Sequence, residues 1–270
     1  MSEMIAGDPK RGWTGPVRML NISAPGAGKT AFALSFPDNF VFDFDRALQK
    51  GVPKIIQDLD GVRFTFVQPD SWQDVLVWTM KILRPEFEAT GADGKPFKLR
   101  TITIDTGRAA YDMYTKVARS MSVQTIMGKG KPLMATEAIR EQADYRAVMA
   151  MQDFGLCRER FLTWINDLKA FTGHLVVNFH ETMKDAAEGS VKPALGGVDI
   201  PGGLKADLPG LFDIYGRLRR FGANPPTYQS TPDDLFPLKD RTGVLDPIET
   251  GLTFPVLAKK LYAPGDSTWT

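Results

Sequence analysis

Hydrophobic residues gather at positions 17–22 in a short run that stops at the turn-forming stretch Ser23-Ala24-Pro25-Gly26-Ala27-Gly28. A helix is predicted from residue 29 to about 35, where Pro37 closes it. A second apolar run, 39–44, ends in carboxylates, and a third, 62–67, is bounded by Gln68, Pro69 and Asp70. Val75, Leu76, Met80 and Leu83 fall near helical spacing and predict a helix over 71–83, with Ser71 as its N-cap. Residues 84–100, with Gly91 and Gly94, read as an irregular excursion. The β-branched run 99–105 predicts a strand, and a helix is expected over 106–121. Residues 122–135 carry turn residues and lysines. A long helical region follows over 136–171, broken near Gly155, and 174–179 is a strongly apolar strand. Residues 181–210 are rich in Gly and Pro, and 212–221 with parts of 227–254 return to short-strand patterns.

Strands and helices alternating up to His180 predict an α/β fold, a mostly parallel central sheet flanked by helices with right-handed crossovers. The 270 residues, 43% hydrophobic, are enough for one large core. The expected organisation is an extension at 1–16, a core at 17–248 and a C-terminal segment at 249–270. A formal net charge of +1 gives no global attraction to nucleic acid or membrane, so any DNA contact must come from local patches. Cys157 stands alone, and with His174 and His180 it makes no disulfide framework or metal-ligand pattern. Residues 1–15 are polar and no apolar run approaches membrane-spanning length. A soluble, cytoplasmic chain is expected.

The strongest chemical signal is Ser23 to Thr30, which fits G-x-x-x-x-G-K-[ST] except that Ser23 stands in the first Gly position. In such a loop Ser23, Ala24, Pro25, Gly26, Ala27 and Gly28 wrap backbone N–H groups around phosphates. The helix through Lys29, Thr30 and Ala31 presents its positive end there. Lys29 would reach the β and γ oxygens of ATP or another purine nucleoside triphosphate, and Thr30 would ligate Mg²⁺. Asp105, at the end of the strand 101–105, is the second metal candidate. Asp43 and Asp45 end the strand after the P-loop helix, and both also suit a solvated turn.

At Val41 to Leu48 the sequence resembles the RecA-like P-loop ATPases, whose second strand ends in an acid-x-Glu-x-Ala-Leu pattern. The resemblance implies that Asp45, one methylene shorter than Glu, polarises the attacking water. Lys239-Asp240-Arg241-Thr242-Gly243 is similar to a Lys-Asn-Arg-Phe-Gly segment of the bacterial RadA recombination proteins. That implies Lys239 and Arg241 acting on a neighbouring subunit's nucleotide, hence a homo-oligomer, ring or filament. The layout from Leu175 onward resembles bacteriophage ATPases of single-strand annealing, implying His180 as a γ-phosphate sensor and a phage or prophage setting in a bacterial host. In these families mobile loops hold single-stranded DNA, and Lys129 and Lys131 in one loop, with Lys184, Lys192 and Lys205 in the other, are the candidate contacts. Arg217 and Arg219 would share one strand face, with Arg220 on the other. The expected function is an ATP- and Mg²⁺-dependent ATPase of recombination, annealing or replication. The alternative is a nucleotide-gated protein-binding module with weak or no hydrolysis. A small-molecule kinase would need an acceptor-binding signature, and the sequence contains none.

Overall fold

The computed structural model describes residues 13–59, 61–128, 151–183, 196–201 and 203–262. Strand β1 (Arg18–Ser23) runs into the Gly-rich turn and helix α1 (Lys29–Leu34). Then follow β2 (Asn39–Asp43), α2 (Lys54–Gln57), β3 (Phe64–Val67) and α3 (Trp72–Ile82). A hairpin of β4 (Glu88–Thr90) and β5 (Pro96–Lys98) occupies the stretch expected to be irregular, and leads to β6 (Thr101–Asp105) and α4 (Gly107–Gly128). Helix α5 (Met151–Lys169) precedes β7 (His174–Met183). The Gly- and Pro-rich stretch contributes β8 (Gly196–Val198) and α6 (Leu204–Asp207). The described residues end with β9 (Ile214–Arg219), β10 (Thr227–Gln229), β11 (Lys239–Asp240), β12 (Ile248–Thr250) and α7 (Phe254–Leu261).

The sheet order is β12-β10-β9-β1-β7-β6-β2-β3, with β11 also on β9 and β8 on β7. From β9 to β3 every neighbouring pair is parallel, and β8, β10, β11 and β12 are antiparallel additions. The sheet is therefore mostly parallel and flanked by helices, as the alternation predicts. Strand β7 lies between the P-loop strand β1 and the Asp105 strand β6. The carboxyl ends of β1, β2, β6 and β7 thus open on one edge.

Alternate residues of each strand feed two cores, because side chains of a strand point to opposite faces. Leu20, Ile22, Phe40, Phe42, Ile102 and Ile104 pack under α3, α4 and α5 with Trp72, Tyr111, Phe161 and Trp164. Met19, Val176, Ile214 and Leu218 pack under α1 and α7 with Phe32, Phe36, Phe254 and Leu257. Each fully buried Phe or Leu contributes roughly 1.5–3 kcal/mol relative to exposure, so the two cores hold the sheet edge still beneath the loops. The segment after residue 248 is tied in by both means: β12 pairs with β10, and α7 supplies Phe254, Leu257 and Leu261 to the second core.

Some boundaries differ from expectation. Ser71 does cap α3, in a reciprocal box with Asp74. Helix α4 continues to Gly128, past the expected end near 121. Helix α5 shows no break at Gly155, which meets open space. One helical Gly costs about 1 kcal/mol, and the buried stripe Cys157, Phe161, Trp164, Ile165 and Leu168 outweighs it.

Candidate functional site

The turn between β1 and α1 works because two of its residues adopt conformations open to glycine: Gly26 has φ 78° and Gly28 φ 102°. A side chain on Gly28 would press on Pro226 at 3.2 Å. Lys29 is buried, and its Nζ donates to Ser23 Oγ at 2.7 Å and to the Ser23 and Ala24 carbonyls at 3.3 Å. Ser23, the departure from the glycine pattern, is thus a ligand for the loop's own lysine. Burial lowers the Lys29 pKa, while Asp105, Asp45 and Glu181 pull it back up.

Beside the lysine, the Thr30 hydroxyl donates to Asp105 Oδ2 at 2.6 Å. Asp105 is fully buried; desolvation raises its pKa, and hydrogen bonds from Thr30 and Asn178 oppose that rise. The two carboxylates that end β2 have separate tasks. Asp43 is buried and accepts from the Ala47 and Leu48 amides at 3.0 and 3.1 Å and from Gln68 Nε2 at 2.8 Å. It builds the turn. Asp45 is left facing the cavity, where Thr106 Oγ1 lies 3.4 Å from its Oδ1 and His180 Nε2 4.0 Å from its Oδ2. His180 pairs in register with Ser23, and its Nδ1 lies 3.5 Å from Lys29 Nζ. Lys29, Thr30, Asp45, Asp105 and His180 therefore converge on one place.

They line a cavity of about 620 Å³. Ala47, Pro53, Lys54 and Ile56 close one side of it. Phe32, Leu218, Tyr228 and Leu252, which pack together, form an apolar lobe of the lining with Pro225, Pro226, Gly251 and Thr253, and Arg220 also lines the cavity. The oxygen donors Thr30 and Asp105 suit a hard divalent cation such as Mg²⁺.

The remaining candidates are dispersed. Lys129, Lys131, Lys184 and Lys192 lie outside the described residues. Lys205 is on α6, but its ammonium nitrogen is buried. Its stem packs against Gly197, so it is not presented to a polyanion at the surface. Arg217 is likewise committed: it pairs with Glu181 at 2.6 Å and stacks on Phe236 at 3.8 Å. Lys239 and Arg241 stand at the opposite edge of the sheet, where Lys239 pairs with Tyr215 and the Arg241 amide donates to the Asp213 carbonyl at 3.0 Å. They do not reach the P-loop of their own chain. The lobe-forming residues Pro225, Pro226 and Tyr228 and the buried Asn21 and Asn178 were missed by sequence reasoning. A polar residue in an otherwise apolar strand, as at Asn21, was the available signal.

A phosphate-binding turn on a parallel sheet, with a hydroxyl and a carboxylate at its mouth, defines the class as a P-loop nucleotide-binding ATPase. The chain belongs to the AAA domain family, which matches residues 15–242. The curated proteins include no match to the chain. Among solved structures it is similar to the RadB recombinase at 10% identity, with 80% of this chain and 81% of that chain covered and a TM-score of 0.38. Among the described residues no helix is long and apolar enough to cross a membrane.

Proposed function

We propose that the chain binds ATP with Mg²⁺ in this cavity and hydrolyses it as an oligomer engaged with single-stranded DNA, in recombination, annealing or replication. The observation that carries the ATP reading is the Thr30–Asp105 contact at 2.6 Å directly beside buried Lys29. Lys29 exchanges the Ser23 hydroxyl for β and γ oxygens, and the P-loop amides take the remaining phosphate charge. Thr30 and Asp105 would hold the magnesium ion, which when bound offsets charge on the β and γ oxygens. In this reading Asp45 polarises a water at the γ-phosphate and His180 reports that phosphate to β7.

Lys239 and Arg241 supply cations to a neighbouring copy's nucleotide in this reading. Their distance from their own P-loop and the resemblance to RadA support that role. The DNA assignment rests on Lys129, Lys131, Lys184 and Lys192 and on the resemblance to phage annealing ATPases, which also carries the proposal of a phage-encoded protein working in bacterial cytoplasm. A second reading, a nucleotide-gated binding module with slow turnover, is favoured by one observation: Asp45 in place of the longer Glu leaves only a 3.4 Å contact to Thr106 and a 4.0 Å approach to His180.

The test is ATP hydrolysis by the full chain with and without single-stranded DNA, beside Lys29→Ala. DNA-stimulated turnover that vanishes in the variant is expected. Tight ATP binding without turnover would leave only the gated-module reading standing.

A further inference from the structure

Beneath the P-loop, on the α1 face of the sheet, one register row is polar across its width. Asp43 pairs with Asp105, Asp105 with Asn178, Asn178 with Asn21, and Asn21 with Gly216. Gly216 has no side chain, and the ring of Tyr228 crosses it; a Cβ there would meet the Tyr228 hydroxyl at 2.1 Å. The Tyr228 hydroxyl donates to Asn21 Oδ1 at 3.0 Å, Asn21 Nδ2 donates to Asn178 Oδ1 at 3.2 Å, and Asn178 Nδ2 donates to Asp105 Oδ1 at 3.2 Å. Thr30 takes the other oxygen of Asp105 at 2.6 Å.

The direction of this chain is fixed by chemistry. An ionised carboxylate only accepts, so Asn178 must turn its NH₂ toward Asp105. Its oxygen then faces the Asn21 NH₂, and the Asn21 oxygen is left as an acceptor that needs a donor. Tyr228 supplies it. Asn21, Asn178 and Tyr228 are each at most 1% exposed, so water does not compete for these groups. The chain begins at a ring that walls the apolar lobe of the cavity and ends on the carboxylate at its polar mouth.

We propose that Tyr228, Asn21 and Asn178 are positioning residues for the Asp105 carboxylate, a one-way hydrogen-bonded row that holds its Oδ1, and so fixes the orientation of the Oδ2 beside Thr30, to the wall of the lobe that would seat the base. The inference rests on the ATP and magnesium reading of the site. Loss of one donor lets Asp105 rotate, and the penalty falls on metal-dependent binding more than on the phosphate contacts of the P-loop. A base against the Tyr228 ring would in turn hold the hydroxyl, and through it the carboxylate, in register.

The test uses the full chain as wild type, Tyr228→Phe and Asn178→Ala. The affinity of a fluorescent ATP analogue is measured in EDTA and in Mn²⁺, and Mn²⁺ binding to the nucleotide complex is titrated by electron paramagnetic resonance. Tyr228→Phe removes one oxygen and keeps the ring, so it decides the matter even if Asn178→Ala fails to fold. The gain in nucleotide affinity on adding Mn²⁺ should shrink about fivefold in Tyr228→Phe and about tenfold in Asn178→Ala, as expected for one buried hydrogen bond and for the donor to the carboxylate itself. An unchanged gain in folded Tyr228→Phe, or equal losses in EDTA and Mn²⁺, overturns the positioning role. Absence of nucleotide binding by the wild type overturns the ATP reading and this inference with it.

Discussion

At the carboxyl ends of β1, β2, β6 and β7 the polar groups answer one another within a single chain: Lys29 is held by Ser23, Asp105 by Thr30 and Asn178, and Asp43 by its own turn. At the amino ends of the same sheet Arg18 is similarly committed, to the carbonyls of Lys169, Phe171 and Gly173. Lys239 and Arg241, however, form no ion pair among the described residues. Burial lowers the Lys239 pKa, and Arg241 and Lys169 lower it further, with only Asp213 opposing. One edge gathers its polar groups on one cavity. The other carries solvent-facing cations, Arg241 exposed and Lys239 half-buried, which the proposed role would set against a second copy's nucleotide.

The sharpest way to break this contrast is at the cavity edge. Lys29→Ala removes the cation the P-loop directs at the β and γ oxygens, and both nucleotide binding, followed by calorimetry, and ATP turnover should fall to background. At the other edge Arg241→Ala should lower turnover by about 10³- to 10⁵-fold, the scale of a trans-acting arginine. Nucleotide affinity should change less than about twofold, since its own P-loop is untouched. Turnover equal to wild type would remove Arg241 from the chemistry.

Gly216→Ala sharpens the comparison through stability. Its Cβ would meet the Tyr228 ring and hydroxyl near 2.1 Å, and such overpacking costs about 1–3 kcal/mol in a denaturant titration. A silent substitution would mean that the polar row is not locked as described. The smallest effect expected is that of Asp45→Glu. Restoring the longer acid should change turnover by about tenfold or less, upward if reach to the water limits the rate. A clear decrease would mean that the cavity is fitted to Asp.

Much of the cavity edge was legible in the sequence, because a P-loop is a local device: its glycines, lysine and threonine are consecutive, and the strand and helix that present them have their own periodic signals. Asp105 was legible for a similar reason, as a carboxylate at the end of a β-branched run. The partners across the sheet were not. Asn21, Asn178 and Tyr228 meet only because β1, β7 and β10 are brought into register over separations of 157 and 207 residues, and no short pattern encodes that. Asp43 and Asp45 both suited a solvated turn, and only the resemblance singled out Asp45; the backbone amides that hold Asp43 separate the two in the structure. Lys205 and Arg217 read as surface cations, yet tertiary packing against Gly197, Glu181 and Phe236 encloses them. The apolar lobe joins the P-loop to residues 225–228 and 251–253, again a product of topology.

The most direct measurement is a mixing experiment with two inactive variants, Lys29→Ala, which keeps its Arg241, and Arg241→Ala, which keeps its P-loop. If the two edges meet between copies, mixing restores ATP hydrolysis at interfaces that join the intact P-loop of one variant to the intact arginine of the other. Turnover that stays at the sum of the separate variants, in mixtures shown by light scattering to co-assemble, would contradict a site completed by a second copy.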